Sequence, residues 1–331
     1  MTPTPPELAG QLEALCRAET GDFSARVRAL EPLPGHAGFS YRFELEHGGL
    51  VERLVLRLPP PGVRHEGPAD VVRQGRLLRA LEPTAVPVPR VRWLGDDERW
   101  FGRPYCVVEL LRGRTVPLED PTRAPDEATL AEAGVAATAA LAALHALDVE
   151  PFGALVGPPL EPAEDVERWD RFAERAAEPE LVALVPELRA ALLAAAPREP
   201  WVGIFHGDYQ WSNLLLDGGR LVAVLDWELA RAGPVLNDLG WLCVFSDPAS
   251  WAPPFGLSPV PAPEALVEAY AVAGGTVADI AWYRALAGYK FAIIAALNLM
   301  LHRRGKRPDP FYELLAPSVP RLLQRGLELL T

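Results

Sequence analysis

One segment of this 331-residue sequence decides how the chain is interpreted: His206-Gly207-Asp208-Tyr209-Gln210-Trp211-Ser212-Asn213. Two short apolar runs follow it, joined by the turn Asp217-Gly218-Gly219, and the second run ends at Asp226. Apolar runs on either side of a glycine turn predict a β-hairpin. The spacing therefore places Asp208, Asn213 and Asp226 around the mouth of one hairpin.

These three side chains offer hard oxygen atoms, and neither a cysteine nor a second histidine accompanies them. Such a set suits Mg²⁺, which binds through one or two carboxylates together with substrate phosphates. Phosphoryl transfer needs a positioned nucleotide, neutralised charge and an aimed acceptor hydroxyl, whose proton an aspartate accepts or orients. The alternative is that the three residues only cap the turns of a structural loop.

The first 110 residues have the pattern of an antiparallel sheet with a packed helix. Strands are predicted where polar and apolar residues alternate, and helices where apolar residues recur every three or four positions. The predicted strands are 39–46, 51–58, 90–94 and 105–111, and the predicted helices are 8–20 and 68–81.

After Gly113 the pattern becomes mainly helical. The alanine-rich segment 127–147 is a long predicted helix, and Asp126 is placed to cap its start. Other helical segments are 163–195, interrupted near Pro179 and Pro186, and 263–331, strongest over 282–301 and 310–330. The sequence thus predicts an α+β fold with a small antiparallel β-sheet lobe and a larger, mainly helical lobe.

Two blocks, 206–213 and 225–241, resemble the signature of the aminoglycoside phosphotransferase and choline kinase-like family. The second block begins Leu-Asp-Trp-Glu-Leu-Ala and ends Asp-Leu-Gly-Trp. The likeness is greatest to the broad phosphotransferase branch that includes the kinase domains fused to acyl-CoA dehydrogenases. It implies a protein-kinase-like fold that binds ATP between a nucleotide-binding lobe, 1–110, and a catalytic and acceptor-binding lobe, 111–331.

The resemblance also implies a role for individual residues. Asp208 matches the catalytic aspartate, and Asn213 and Asp226 match the magnesium ligands. His206 matches a buried histidine that supports the loop, and Asp238 matches an acidic residue that is usually structural. The implied cofactors are ATP and Mg²⁺, and the implied partner is a small molecule with a hydroxyl group.

The expected phosphate clamp departs from the family pattern. Kinases of this fold pair a lysine of the third strand with a glutamate of the next helix, but no lysine precedes Lys290. Arg57 aligns with that lysine and keeps its charge, and Gln74 aligns with the glutamate, where it can accept a hydrogen bond from Arg57. Arg57 is alternatively a strand arginine that extends to solvent. Gln74 motivates a second hypothesis, a nucleotide-binding pseudokinase or regulatory module with little transfer activity.

Further positions complete the expected nucleotide site. Gly35 and Gly38 let backbone N–H groups approach phosphates, and Ser40 adds a hydroxyl donor. Two glycines between strands also fit an ordinary hairpin. The stretch from Glu109 to Leu111 resembles the hinge whose backbone pairs with adenine.

Composition excludes several classes of function. The net charge of −12 argues against nucleic acid and against anionic membranes as partners. The three cysteines are widely spaced, which favours separate buried thiols over a zinc site or disulfides. The longest apolar run, 291–301, is shorter than the roughly 20 residues of a membrane span. With no signal-peptide pattern at the N-terminus, we expect a cytoplasmic protein.

The acceptor is less well defined by the sequence. Amino-sugar antibiotics need a cluster of carboxylates, but the region after Trp282 offers few: Asp309, Glu313 and Glu328. An endogenous hydroxy metabolite, an acyl derivative among them, is therefore favoured over an aminoglycoside. The basic segment 302–307 fits either an anionic acceptor or the closure of a helix end.

Overall fold

The computed structural model describes residues 5–33, 39–117, 123–176, 178–253, 255 and 259–331. The chain forms two compact units. The first extends to Gly113 and includes Val222–Leu229, and the second contains Arg114–Leu221 and Ala230–Thr331. The chain thus returns to the first unit for one short segment, which carries Asp226. The sequence predicted one boundary between the lobes, after residue 110, and did not indicate that a later segment belongs to the first unit.

The first unit is built on an antiparallel sheet of five strands in the order β1-β2-β3-β5-β4. The strands are β1 (Arg26–Pro32), β2 (Phe39–His47), β3 (Leu50–Leu58), β4 (Val91–Gly95) and β5 (Tyr105–Glu109). Two helices accompany them, α1 (Pro5–Thr20) and α2 (Val71–Leu81). The predicted strands and helices are confirmed, although the last strand ends two residues earlier than expected.

The core of this unit lies between α1 and one face of the sheet. Leu8, Leu12 and Leu15 recur at helical spacing, and all three are buried. They belong to the same cluster as the alternate residues of β3, including Leu54 and Leu56. Because side chains alternate along a strand, Val55 and Arg57 project from the opposite face.

The second unit is mainly helical, as predicted. Its helices are α3 (Glu127–His145), α4 (Gly153–Val156), α5 (Pro162–Glu167), α6 (Asp170–Ala173), α7 (Val185–Ala194), α8 (Leu236–Val244), α9 (Pro263–Val272), α10 (Ile280–Arg303), α11 (Phe311–Leu315) and α12 (Ser318–Leu330). The remaining strands of the chain are β6 (Val202–Phe205), β7 (Leu214–Asp217), β8 (Arg220–Val224, whose last three residues belong to the first unit) and β9 (Arg231–Pro234), and β6 pairs antiparallel with β9. Strands β7 and β8 flank the turn predicted at 217–219.

The interruption predicted near Pro179 and Pro186 is present, because no described residue between the end of α6 at Ala173 and the start of α7 at Val185 is helical. Pro186 itself lies in the first turn of α7, where no intrahelical N–H bond is lost. One other detail of the helical prediction is corrected. The segment 310–330 is not continuous, because it forms α11 and α12 with a break before Ser318. The predicted Asp126 cap of α3 is confirmed, since its carboxylate accepts the N–H of Thr129 at 2.9 Å.

Helices α3 and α10 are long and apolar enough to cross a membrane by length and composition. More than half of each apolar window is buried within the protein, 56% for α3 and 67% for α10. Core helices of soluble proteins have the same property, so these two helices are weak grounds for a membrane span. The three cysteines are free and buried, as the sequence predicted.

Candidate active site

The Asp208 carboxylate is held by three side-chain donors within the second unit. Oδ1 accepts hydrogen bonds from Gln210 Nε2 at 2.7 Å and from the indole N–H of Trp241 at 2.8 Å. Oδ2 accepts one from Asn213 Nδ2 at 2.8 Å, and the same nitrogen donates to the Asp208 carbonyl at 2.9 Å. The predicted pair Asp208 and Asn213 therefore forms one rigid group.

The loop that carries Asp208 follows directly on strand β6. Gly207 has φ of +87°, a left-handed conformation that favours glycine. The buried His206 accepts the N–H of Asp208 at its ring Nδ1, 3.2 Å away. These contacts agree with the supporting role that the resemblance implied for His206.

Asp238 anchors the same loop from the first turn of helix α8. Its carboxylate accepts the backbone N–H of His206 at 2.6 Å and of Gly207 at 2.8 Å. Oδ2 also faces His145 Nε2 at 3.4 Å, and His145 Nδ1 lies 2.7 Å from the hydroxyl of Tyr270. Burial lowers the pKa of His145, although its contact with Asp238 acts in the opposite direction. The chain of buried groups fixes the loop backbone.

In the first unit, Arg57 forms an ion pair with Asp226. Arg57 Nη2 lies 3.1 Å from Asp226 Oδ1, and the two side chains are 22% and 30% exposed. Asp226 has φ of +65°, which is uncommon for a residue other than glycine. Backbone of this kind persists where surrounding contacts hold it and is frequent at functional sites. Ser40 is paired with Arg57 across β2 and β3, so the two side chains share one face of the sheet.

The hydrogen bond that Gln74 could accept from Arg57 is not formed. Gln74 is buried on α2, and its Nε2 donates to the Pro68 carbonyl at 2.8 Å. Its Oε1 has no hydrogen-bond partner among the described residues. The first unit therefore pairs Arg57 with the carboxylate of Asp226 instead, since only the carboxylate offers a countercharge.

A cavity of about 310 Å³ opens on the Arg57 face of the sheet. Its lining consists of Ala29, Glu31, Arg42, Phe43, Glu44, Arg53 and Leu110. Leu110 lies within the predicted hinge, and its N–H donates to the Arg53 carbonyl at 2.8 Å. Glu109 is held by Arg90, whose N–H donates to Glu109 Oε1 at 2.9 Å. The hinge thus borders a cavity of the size that ligand pockets have.

Two predictions cannot be compared with the structure, because Gly35 and Gly38 lie outside the described residues. No three His, Cys, Asp or Glu side chains form a metal-binding group within the described parts of the chain. Asn213 and Asp226 nonetheless fit Mg²⁺ by their donor chemistry. The Asn213 amide turns its nitrogen to Asp208, which leaves the carbonyl oxygen as the available ligand atom.

Sequence reasoning missed two of the three donors to Asp208. Gln210 lies inside the motif, and its spacing of two residues from Asp208 gave no separate signal. Trp241 ends the second block of the resemblance, which assigned no role to it. It is 33 residues from Asp208 in sequence, and only helix α8 brings its indole N–H to the carboxylate.

A sequence model described as "Phosphotransferase enzyme family" matches residues 29–286, which is most of the chain. The chain belongs to this family. Among curated proteins, it is 29% identical over 229 residues to the probable acyl-CoA dehydrogenase IBR3 of Arabidopsis thaliana, covering 63% of this chain and 27% of that protein. It is 27% identical over 346 residues to acyl-CoA dehydrogenase family member 11 of Gallus gallus, covering 97% of this chain and 43% of that protein. This phosphotransferase-family chain thus spans less than half of each of these two relatives.

Solved structures confirm the predicted kinase-like α+β fold. A Ralstonia eutropha "putative aminoglycoside phosphotransferase" matches with a TM-score of 0.79 and 23% identity, covering 97% of both chains. A thermostable mutant of aminoglycoside phosphotransferase APH(4)-Ia, in ternary complex with AMP-PNP and hygromycin B, matches with a TM-score of 0.63 and 17% identity. That match covers 96% of this chain and 99% of the other. At these identities the likeness shows the fold of the phosphotransferase-family member described here.

Proposed function

We propose that this protein transfers the γ-phosphoryl group of ATP to a hydroxyl group of a small molecule, with Asp208 as the catalytic residue. The observation that carries the proposal is the triply held Asp208 carboxylate, whose orientation is fixed by Gln210, Asn213 and Trp241. A group whose position is fixed before the reaction loses little conformational freedom when it aligns a substrate.

In the proposed reaction, the acceptor hydroxyl oxygen forms a bond to the γ-phosphorus. The bond from that phosphorus to the β,γ-bridging oxygen breaks, and ADP leaves with the electron pair. Asp208 orients the hydroxyl and accepts its proton, which later passes to solvent. The product is a phosphate monoester.

Mg²⁺ would be held by the Asn213 carbonyl oxygen and the Asp226 carboxylate, together with phosphate oxygens of the nucleotide. When bound, it supplies positive charge that offsets the charge developing on the phosphates. Arg57 already forms an ion pair with Asp226, so we assign it to the phosphates on the same face of the sheet. Arg57 has a charged partner in Asp226 even though Gln74 replaces the helix glutamate of the family. This ion pair supports an active phosphate clamp over a pseudokinase.

ATP as the donor is supported by the cavity beside Leu110 and by the fold. The cavity lies on the face that carries Arg57 and Ser40. The N–H of Leu111 makes no hydrogen bond within the described part of the chain, which leaves it available to a purine base. The related APH(4)-Ia structure was determined with the ATP analogue AMP-PNP.

We favour an endogenous hydroxy metabolite over an aminoglycoside as the acceptor. Two of the few carboxylates near the C-terminus are already paired with arginines, Glu313 with Arg303 and Glu328 with Arg321. Paired carboxylates present little net charge to a polycationic sugar. In the basic segment 302–307, Arg303 is held by Glu313 and Glu178, and Gly305 has φ of +67° just beyond the end of α10. These contacts favour helix closure over acceptor binding.

The test is a screen of hydroxyl-bearing metabolites and antibiotics, including kanamycin and hygromycin B, for ATP-dependent phosphate transfer. Single-turnover measurements then compare Asp208→Asn with the exposed control Asp217→Asn. We expect a loss of about 100-fold or more for Asp208→Asn, because general base catalysis contributes about 10²–10⁴. ATP binding, followed by the rise in melting temperature, should persist in both variants.

Full transfer by Asp208→Asn would remove Asp208 from the reaction. Binding of ATP without any phosphate transfer or ATP hydrolysis would favour the pseudokinase hypothesis. Absence of a thermal shift at millimolar ATP, with and without Mg²⁺, would contradict both hypotheses.

A further inference from the structure

A group of three cationic side chains lies beside the Asp208 loop in the second unit. It consists of Arg168, Arg231 and Lys290, and we refer to it as the basic cluster. We propose that the basic cluster, and Arg231 above all, binds an anionic group of the acceptor, a carboxylate or a phosphate. This inference rests on the proposed function, because it assigns the chemical class of the acceptor for the same site.

One buried carboxylate already neutralises two members of the basic cluster. Lys290 Nζ lies 3.2 Å from Asp165 Oδ2, and Arg168 Nε lies 2.7 Å from Asp165 Oδ1. The Asp165 side chain is fully buried, so its charge is little screened by water. Both oxygens of this carboxylate are therefore engaged by cations.

Arg231 has no such partner. No ion pair or side-chain hydrogen bond joins it to another described residue, and its Nε is buried without a hydrogen-bond partner. Burial and repulsion from Arg168 lower the pKa of Arg231, whereas Asp165 and Glu164 raise it. A half-buried guanidinium next to a second one is stabilised by an anion, because the anion offsets both the lost hydration and the repulsion.

Glu164 does not supply this anion. It is exposed, and its carboxylate lies at the start of α5, where Oε2 accepts the backbone N–H of Glu161 at 3.4 Å. The carboxylates that face the basic cluster are Asp165, Glu164 and, toward Lys290, Asp238. None of them forms an ion pair with Arg231 among the described residues.

Two structural links place the basic cluster near the reacting end of the site. Lys290 Nζ lies 5.8 Å from the centroid of the Trp241 ring, and the Trp241 N–H donates to Asp208. Arg231 is paired with Phe205 across β6 and β9, and the Asp208 loop begins at the next residue. An acceptor whose hydroxyl lies at Asp208 therefore has a cationic surface close by.

The ligand class follows from the chemistry of the guanidinium group. Its fork of N–H donors binds carboxylates and phosphates in a bidentate way, whereas a cationic amino sugar would be repelled. The basic cluster therefore selects hydroxy acids or phosphorylated alcohols over neutral alcohols and aminoglycosides.

The experiment measures binding without nucleotide, using matched pairs of ligands that differ in charge. The pairs are 3-hydroxybutyrate with 1,3-butanediol and glycerol 3-phosphate with glycerol, titrated by calorimetry into the full chain. At least one anionic member should bind, its neutral partner should not, and raising the salt concentration should weaken the binding. Binding of 3-hydroxybutyrate alone indicates a carboxylate site, and binding of glycerol 3-phosphate alone indicates a phosphate site.

Variants assign the binding to Arg231. We expect Arg231→Gln to weaken it about tenfold, since a charge-assisted hydrogen bond is lost. Arg231→Lys should retain most of it. The control Arg220→Gln removes one exposed arginine at the start of β8, whose ion pair among the described residues is with Asp217, and should leave binding unchanged. If Arg231→Gln does not fold, Arg231→Lys together with Arg168→Gln serves the same comparison.

Equal binding of the neutral and anionic members, binding of neither, or unchanged binding in Arg231→Gln would overturn the proposal. The outcome is separable from that of the proposed function. Anion binding without Asp208-dependent transfer would leave the basic cluster in place and refute the kinase reaction. Phosphate transfer that is equally efficient to neutral alcohols would uphold the kinase reaction and refute the role of the basic cluster.

Discussion

Trp241 donates its indole N–H to Asp208 Oδ1 at 2.8 Å, so a helix residue fixes the orientation of the proposed catalytic carboxylate. The ring of the same Trp241 also lies near a cation, since its centroid is 5.8 Å from the Lys290 ammonium group. One side chain thus contacts both the proposed catalytic residue and the basic cluster. Substitutions here separate orientation of the carboxylate from simple packing.

We predict that Trp241→Phe lowers kcat by about 10- to 100-fold, because a hydrogen bond to a charged group contributes about 1.5–3 kcal/mol. The KM for ATP should change little, since Trp241 lies in the second unit and Arg57, assigned to the phosphates, lies in the first. The matched control is Trp282→Phe, which removes the N–H donor to the Leu192 carbonyl at 2.9 Å. Steady-state kinetics of both variants provide the measurement, and an equal loss in kcat for both would indicate a packing effect only.

Arg57→Gln should raise the KM for ATP about tenfold, since it removes the positive charge assigned to the phosphates. Arg57→Lys should have a smaller effect, because it keeps the charge but not the fork of donors. Arg92→Gln is the control, since Arg92 pairs with Glu52 on strand β3 and takes no part in the proposed clamp. Nucleotide titrations followed by thermal shift measure the affinities, and an unchanged affinity in Arg57→Gln would remove Arg57 from the clamp.

Replacing Gln74 by the glutamate of the family pattern should not create an ion pair with Arg57. We expect Gln74→Glu to lower the free energy of unfolding by about 2 kcal/mol, because it buries a carboxylate and loses the donor to the Pro68 carbonyl. Gln324→Glu, on an exposed position of α12, is the control. Urea denaturation measures both, and a stabilised Gln74→Glu variant would mean that Arg57 turns to the new carboxylate.

The buried His145 predicts a specific dependence of stability on pH. Burial lowers its pKa in the folded state, so below about pH 6.5 the unfolded chain binds a proton that the folded protein binds less well. The stability of the folded protein is therefore unaffected by His145 above about pH 6.5 and decreases as the pH falls below that value. Wild-type protein should therefore lose more stability between pH 7.5 and pH 5.5 than His145→Gln does. Melting temperatures at both pH values test this, with His65→Gln as the control.

Helices α8 and α10 approach too closely at Gly240 for a larger side chain. A Cβ atom there would lie 2.5 Å from the Tyr283 carbonyl oxygen. Gly240→Ala should cost about 2 kcal/mol or more in unfolding free energy, because the helices must move apart. Gly10→Ala on α1 is the matched control, since nothing lies within 4 Å of its Cβ position and alanine favours a helix.

The secondary structure was largely predictable because it depends on local patterns. Alternation predicted four of the five strands of the first unit, β2 to β5, but not β1, and Asp126 marked the start of α3. Pro179 and Pro186 indicated the break before α7, and Pro186 lies in the first turn of that helix, where a proline is tolerated. In the candidate site, the five-residue spacing of Asp208 and Asn213 predicted a contact that the structure contains.

Pairs distant in sequence follow from tertiary packing. Arg57 and Asp226 are 169 residues apart, and Lys290 and Asp165 are 125 residues apart. The hydrogen bond from Arg57 that the alignment allowed Gln74 to accept is absent, because an alignment gives a position and does not give the direction of a side chain. The sequence by itself determined the fold class and the loop of Asp208, since both rest on short-range periodicity and motif spacing. Only the tertiary structure decided which groups hold Asp208, where Arg57 finds its countercharge and that Arg231 has none, because each depends on side chains that folding brings together.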